Sequence, residues 1–299
     1  MKTTEGRVQF RDFETWFQIC EPDAGSDTSK APLVLLHGGP GVPHNYLRSM
    51  VDFTDFGRTI IFYDQIGCGN STHLPDVEPE FWQPTLFADE LDNLLGNLGI
   101  ADRYHLLGQS WGGMLAQEHA VRQPSGLRSL VLSNTAAAFP HFIEAAQALI
   151  AKLPDDVQNQ LRIHEESQTY SHPDYLAACD VFYRRHVLRL KEWPPEVERS
   201  FALLDEDPTV YHVMNGPSEF HVIGTAKEWS CVERLPLIQV PTLVLCGRHD
   251  EAAPEIQAPL LEGISNSKLV IFEESSHLSF WEERGLYMET VEDFLSQHD

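Results

Sequence analysis

Positive charge is scarce in this sequence. Its 299 residues hold 21 Lys and Arg against 45 Asp and Glu, a formal charge of −24. Phosphate backbones and anionic membrane surfaces are bound through clustered cations, so no nucleic-acid and no membrane partner is expected. Cysteine is sparse as well. Cys20, Cys68, Cys179, Cys231 and Cys246 are odd in number and widely spaced, and no C-x-x-C occurs. Neither a disulfide framework nor a zinc knuckle is expected, and a reducing cytoplasm is the expected setting. Long apolar runs are missing too. LVLL and LVLC are strand-sized, far short of the ~18 residues of a membrane span, and the opening MKTTEGRVQFRDF has no signal-peptide core. The 14 histidines show no H-E-x-x-H or comparable spacing, so they are expected on the surface and in loops, with no metal and no cofactor. Internal repeats and low-complexity tracts are absent.

What is present is ordinary globular composition, with 42% apolar and 22% charged residues. A chain of this length can bury roughly 75% of its unfolded surface, so it needs no staple. Two domains, or one α/β domain with an insertion, fit the length equally.

Buried-strand runs alternate with helical periodicity along the chain. Phe10-Arg11-Asp12 suggests a hairpin turn, and the polar stretch 21–31 a loop. Strands are expected at Pro32–Leu36, Thr59–Tyr63, Tyr104–Leu107, Leu127–Leu132, Pro241–Cys246 and Lys268–Phe272. Helices are expected at 84–98, 112–123 and 285–297, the first opened by Pro84 and stopped by Gly99. Residues 136–226 lack buried-strand runs and read as a helical cap inserted into a core of 1–135 and 227–299. The fold class is α/β: a mostly parallel sheet covered by helices. In such sheets, sites form at the carboxyl ends of the strands.

Gly108-Gln109-Ser110-Trp111-Gly112 falls between a strand and a helix, the setting that G-x-S-x-G requires. A serine on so sharp a turn needs neighbours without Cβ, and the turn aims its hydroxyl at unpaired N–H groups of the helix. Asp250 and His277 each follow a later strand. They complete the chain order serine, acid, histidine, which makes Ser110 the expected nucleophile, His277 the base and Asp250 its orienting acid. His249 is a weaker rival to His277, since it shares a loop with Asp250. His37-Gly38-Gly39-Pro40-Gly41 follows another strand and can present backbone N–H groups. Pro40 has none, so Gly38, Gly39 and Gly41 are the candidates, Gly39 foremost, to form an oxyanion hole with the N–H of Trp111. No G-K-[ST] follows, which speaks against a phosphate loop. The glycine loop from Asp64 to Ser71 reads as a structural turn.

HGGPG, the DQ-x-G-x-G-x-S loop, GQSWGG, GRHDE and the late histidine together resemble the proline iminopeptidase family of α/β-hydrolases. The likeness spans nearly the whole chain. The stretch from FYRRHV to YHVMNGPSEFHVIGT looks especially like bacterial L-amino acid amidases that cleave prolinamide. One departure is Ile66, where many relatives carry Arg. The resemblance implies that Glu219, in a G-P-x-E-F segment, and Glu251, next to the triad aspartate, bind a free α-amino group. Desolvating an ammonium requires paired charge, which agrees with that implication. The expected activity is metal-free hydrolysis of an N-terminal residue or an amino acid amide, proline or another small residue preferred, through an acyl-enzyme. The partner is thus a small-molecule substrate. Phe139, Tyr211 and Phe220 are expected to line the pocket. An esterase or lactonase on neutral acyl groups, and a non-catalytic receptor on the same fold, are the alternatives.

Overall fold

The computed structural model describes residues 1–23 and 29–299. Strand β1 (Lys2–Phe10) turns at Arg11-Asp12 into β2 (Phe13–Glu21), with Phe10 paired to Phe13. Arg11 has φ 54°, a positive value that suits the twist of a two-residue hairpin loop. Of the loop expected at 21–31, residues 24–28 lie outside the described residues.

The expected apolar runs form β3 (Leu33–Leu36), β4 (Ile60–Tyr63), β5 (Tyr104–Gln109), β6 (Leu127–Ser133), β7 (Thr242–Gly247) and β8 (Ser267–Phe272). Every residue of β3, β4, β5 and β7 is buried, as a sheet covered on both faces demands. The sheet order is β1-β2-β4-β3-β5-β6-β7-β8. β1 and β2 are antiparallel, and β4 to β8 run parallel. After β3 the chain first pairs on one side, at β4, then crosses to β5 on the other. That reversal opens a crevice at the carboxyl ends of β3 and β5.

Helices α1 (Pro84–Asn97) and α2 (Trp111–Ala120) pack on the sheet. Leu86, Phe87, Leu91, Leu94 and Leu95 are the buried apolar stripe of α1, and Gly99 follows at φ 69°. Between β6 and β7 lie α3 (Phe139–Ile150), α4 (Asp155–Glu166), α5 (Pro173–His186), α6 (Pro195–Glu206) and α7 (Thr209–Met214). They contribute an apolar cluster of their own, including Leu161, Tyr175, Phe182 and Phe220. A bridge between Ala138 and Ser230 ties the segment's entry to its exit. The chain closes with α8 (Ala258–Gly263), α9 (Ser279–Glu282) and α10 (Arg284–Leu295). Residues His44–Phe56, given no element by periodicity, coil as 3-10 turns.

One expectation is corrected. His37, His44, His105, His119 and His164 are buried rather than at the surface, as is His277, expected as the base. Each finds a partner inside: Gln65 for His37, Asp64 for His44, Ser129 for His105, Tyr104 for His119, Thr169 for His164 and Asp250 for His277. Spacing along the chain cannot reveal such long-range partners. Nor does it reveal that His164, His172 and Asp174 offer ligand atoms within 4.8 Å of one another, two of them from exposed side chains.

Candidate active site

The turn at Ser110 is built by steric exclusion. A Cβ on Gly108 would lie 2.1 Å from the Gly112 carbonyl oxygen, and one on Gly112 would lie 2.0 Å from that of Leu36. Both glycines therefore let α2 descend onto the ends of β5 and β3. Ser110 itself takes φ 56°, ψ −125°, a strained conformation for a residue with a side chain. The Ser110 N–H donates to Ser133 and its carbonyl accepts from Thr135, which pins the turn to β6 and the residues after it.

The glycine loop after β3 sorts its own candidates. The Gly38 N–H donates to the Tyr46 hydroxyl at 2.6 Å and is already used. Gly41 packs against Val210 and Tyr211 of α7. Gly39, at φ 107°, has no space for a Cβ, which would meet the nitrogens of Gly41 and Val42 at 2.6 Å. Its N–H and that of Trp111 have no hydrogen-bond partner among the described residues. Trp111 opens α2, where a free N–H is the rule. Its indole donates to Gln65, whose amide donates to the His37 carbonyl, so the Asp64–Ser71 loop braces the site from below. Ile66, in that loop, is fully buried in the apolar core.

His277 and Asp250 meet across the loops after β8 and β7. The His277 Nδ1 lies 2.7 Å from Asp250 Oδ1, and the Ala252 N–H also donates to that oxygen at 2.8 Å. Asp250 Oδ2 accepts from the Asn134 amide at 2.7 Å. Asn134 lies directly after β6 with φ 52°, and its amide also reaches the Ser276 carbonyl. Sequence reasoning missed Asn134, as it missed Tyr46 and Gln109. The Tyr46 hydroxyl donates to Gln109 Oε1, and the Gln109 amide donates to the His277 carbonyl. With the bond from Gly38 to Tyr46, these two link the glycine loop, the serine turn and the histidine loop. No motif announces them, because each partner is distant in the chain.

Two cavities meet at this centre. Ser110, Gly39, Glu219 and His277 line both. One extends past Val42, Tyr46, Val187, Phe201 and Leu278, and the other past Trp111, Met114, Phe139, Phe142 and Asn215. Of the aromatics expected here, only Phe139 lines a cavity. Tyr211 is buried with Glu219 beside it, while Phe220 packs on Phe182 inside the helical segment, with ring centroids 4.7 Å apart. Phe142 and Phe201 take their places. His249 lines neither cavity, and its carbonyl accepts from His186.

Glu251 is fully buried, and neither carboxylate oxygen has a hydrogen-bond partner among the described residues. Its Oε1 lies 3.6 Å from His277 Nε2. Burial pushes the Glu251 carboxyl well up and the Glu219 carboxyl up, with His277 opposing both. Burial alone would lower the His277 imidazole, but Asp250, Glu251 and Glu219 outweigh it and bring it to about 9. Of the two acids named by the resemblance, Glu219 lines both cavities with Ser110, whereas Glu251 lines neither and lies buried beside His277.

A family model described as alpha/beta hydrolase fold matches residues 31–284. A proline iminopeptidase of Saccharolobus solfataricus is 39% identical over 269 residues, 90% of this chain and 86% of that protein. Among solved structures, a proline iminopeptidase of Mycobacterium smegmatis is 47% identical, with a TM-score of 0.92 over 99% of this chain and 98% of that one. The crystal structure of VinJ is 46% identical, with a TM-score of 0.96 over 99% of both chains.

Proposed function

Because the chain belongs to the proline iminopeptidase family of α/β-hydrolases, we propose that this enzyme hydrolyses the amide bond that follows an unblocked amino acid. The substrate is an amino acid amide or a short peptide, with proline or another small residue first. Ser110 attacks the carbonyl while His277 takes its proton, and Asp250 holds the imidazole tautomer and steadies its cation. The N–H groups of Gly39 and Trp111 receive the oxyanion, an arrangement worth several kcal/mol in the transition state (about 3–4 per donor). His277 then protonates the leaving amine. Water, deprotonated by the same imidazole, releases the acid from Ser110. The core, 1–135 and 227–299, carries the triad, and the cap, 136–226, encloses the substrate. The five free, buried cysteines are compatible with a reducing cytoplasm, and no helix among the described residues is long and apolar enough to cross a membrane.

One observation carries this reading. Two buried carboxylates, Glu219 lining both cavities and Glu251 at 3.6 Å from His277, have no Lys or Arg paired to either among the described residues. Buried carboxylates are costly unless a cation joins them, and a substrate ammonium supplies one. Rates on prolinamide, alaninamide, a Pro-initiated dipeptide and an aryl acetate test it, with wild type beside Glu219→Gln. The variant is expected to lose roughly 10-fold to 100-fold in kcat/KM on the free-amine substrates, the worth of one charged hydrogen bond. The aryl acetate rate should hardly change. Equal losses on both classes would remove the amine-binding role, and a preference for the aryl acetate would assign an esterase.

A further inference from the structure

The imidazole at the centre of the site faces more negative charge than a general base needs. Its Nδ1 is committed to Asp250, so Nε2 is the nitrogen left to serve Ser110. Yet 3.6 Å from Nε2 lies Oε1 of Glu251, with both of that residue's oxygens buried and unpartnered among the described residues. We infer that in the resting enzyme the Glu251 carboxylate keeps a proton on Nε2 of His277, and that the substrate's ammonium evicts it, so that a free-amine substrate itself makes His277 a base.

This rests on the proposed seat of the ammonium beside Glu219 and Glu251. Among the described residues, no other group near His277 supplies a positive charge. Asp250 and Glu251 approach His277 from the loop after β7, and Glu219 from the segment after α7. Tyr183 on α5 and Tyr211 on α7 face the two glutamates, and burial holds both as neutral phenols. His186, at the end of α5, is lowered by burial and bonds the His249 carbonyl through Nδ1. Its backbone carbonyl accepts the N–H of Glu251 and of His277, which fixes the two residues side by side. Three carboxylates thus surround one imidazole, and their charge favours keeping a proton on Nε2. The Nε2 lone pair is then unavailable to Ser110. An arriving ammonium provides the missing positive charge, and that proton departs to solvent. A neutral substrate cannot do this. Selection for a free amine would then act on the chemical step as well as on binding.

The test is proton release on binding. Full-length Ser110→Ala enzyme is titrated with alaninamide at pH 7 by calorimetry, in phosphate and in Tris. The difference in heat between buffers reads the protons exchanged. Between about a half and one proton released per alaninamide is expected, given an ordinary imidazole in the complex. Glu251→Gln in the same background should release almost none. In the wild type, the acid limb of kcat/KM for an aryl acetate reports the free enzyme, and that of kcat for alaninamide the complex. The second should lie about one to three units lower. Alaninamide heat identical in both buffers, with coincident acid limbs, would overturn the inference while leaving amine binding intact. No binding of alaninamide at all would overturn both.

Discussion

The Tyr46 hydroxyl lies 2.6 Å from the backbone nitrogen of Gly38 and accepts its proton. That bond decides which glycine of the loop after β3 is left to act. With Gly38 occupied, Gly39 lines both cavities beside Ser110 with its N–H unpaired among the described residues. The same hydroxyl donates to Gln109 Oε1, one residue before Ser110, so a single phenol sets the glycine loop against the serine turn.

Tyr46→Phe should therefore impair turnover more than binding. It leaves the Gly38 N–H and Gln109 Oε1 buried and unpaired, a penalty of about 1–3 kcal/mol. The expected result is a kcat roughly 10-fold lower with KM nearly unchanged, read from steady-state rates on alaninamide. A raised KM at constant kcat would mean that the loop is set by other contacts.

Asn134→Ala removes the amide that satisfies Asp250 Oδ2. Asp250 would keep His277 and the Ala252 N–H on Oδ1 but lose the anchor on Oδ2, and the imidazole would be held less firmly. Both kcat and stability should fall, the latter by about 1–3 kcal/mol in urea unfolding. Wild-type values of both would show that the bond carries no weight.

Ser110→Ala should lower kcat by about 10⁵-fold to 10⁶-fold. The strained turn would lose nothing but a hydroxyl, so the melting temperature should hold or rise slightly. Labelling by a fluorophosphonate should disappear with the hydroxyl. Retained turnover in a purified sample would falsify the nucleophile assignment.

Glu90 gives a pH dependence of stability that is separate from activity. It is fully buried, accepts from the Ile66 N–H and the Thr15 hydroxyl, and burial raises its carboxyl to about 8. The folded chain thus keeps a proton that the unfolded chain loses above pH ~4.3. Stability should fall as pH rises through that window, on the order of 1.4 kcal/mol per unit, and level off above about 8. Glu90→Gln should flatten this slope. Urea unfolding of both proteins at pH 5, 7 and 9 provides the check, and parallel curves would count against a neutral Glu90.

Much of the fold was legible in the residues because strand and helix patterns are local. The runs at Leu33–Leu36, Ile60–Tyr63 and Thr242–Gly247 are buried throughout and almost wholly apolar, since both faces of each strand are covered. The glycines at 108 and 112 mark the serine turn because any Cβ there meets backbone. The histidines were misjudged for the opposite reason. Whether an imidazole is buried depends on a partner such as Gln65 or Ser129, and nothing near it in the chain names that partner. Phe220 was misplaced likewise: it lies in the irregular stretch after α7, where no periodicity says which way a side chain faces, and it packs on Phe182.

The order of residues by itself determined the strand and helix sequence, the shape of the turn at 110 and the chemical types available at each strand end. Those depend on backbone sterics and short-range periodicity, which act over a few residues. Tertiary packing alone decided that Asn134 and Tyr46 brace the centre, that Gly39 and not Gly38 keeps a free N–H, and that Glu251 lies beside the imidazole with no cation of its own. Such outcomes depend on distances between groups far apart in the chain and on how much water the fold leaves around them, and neither is encoded in any local pattern.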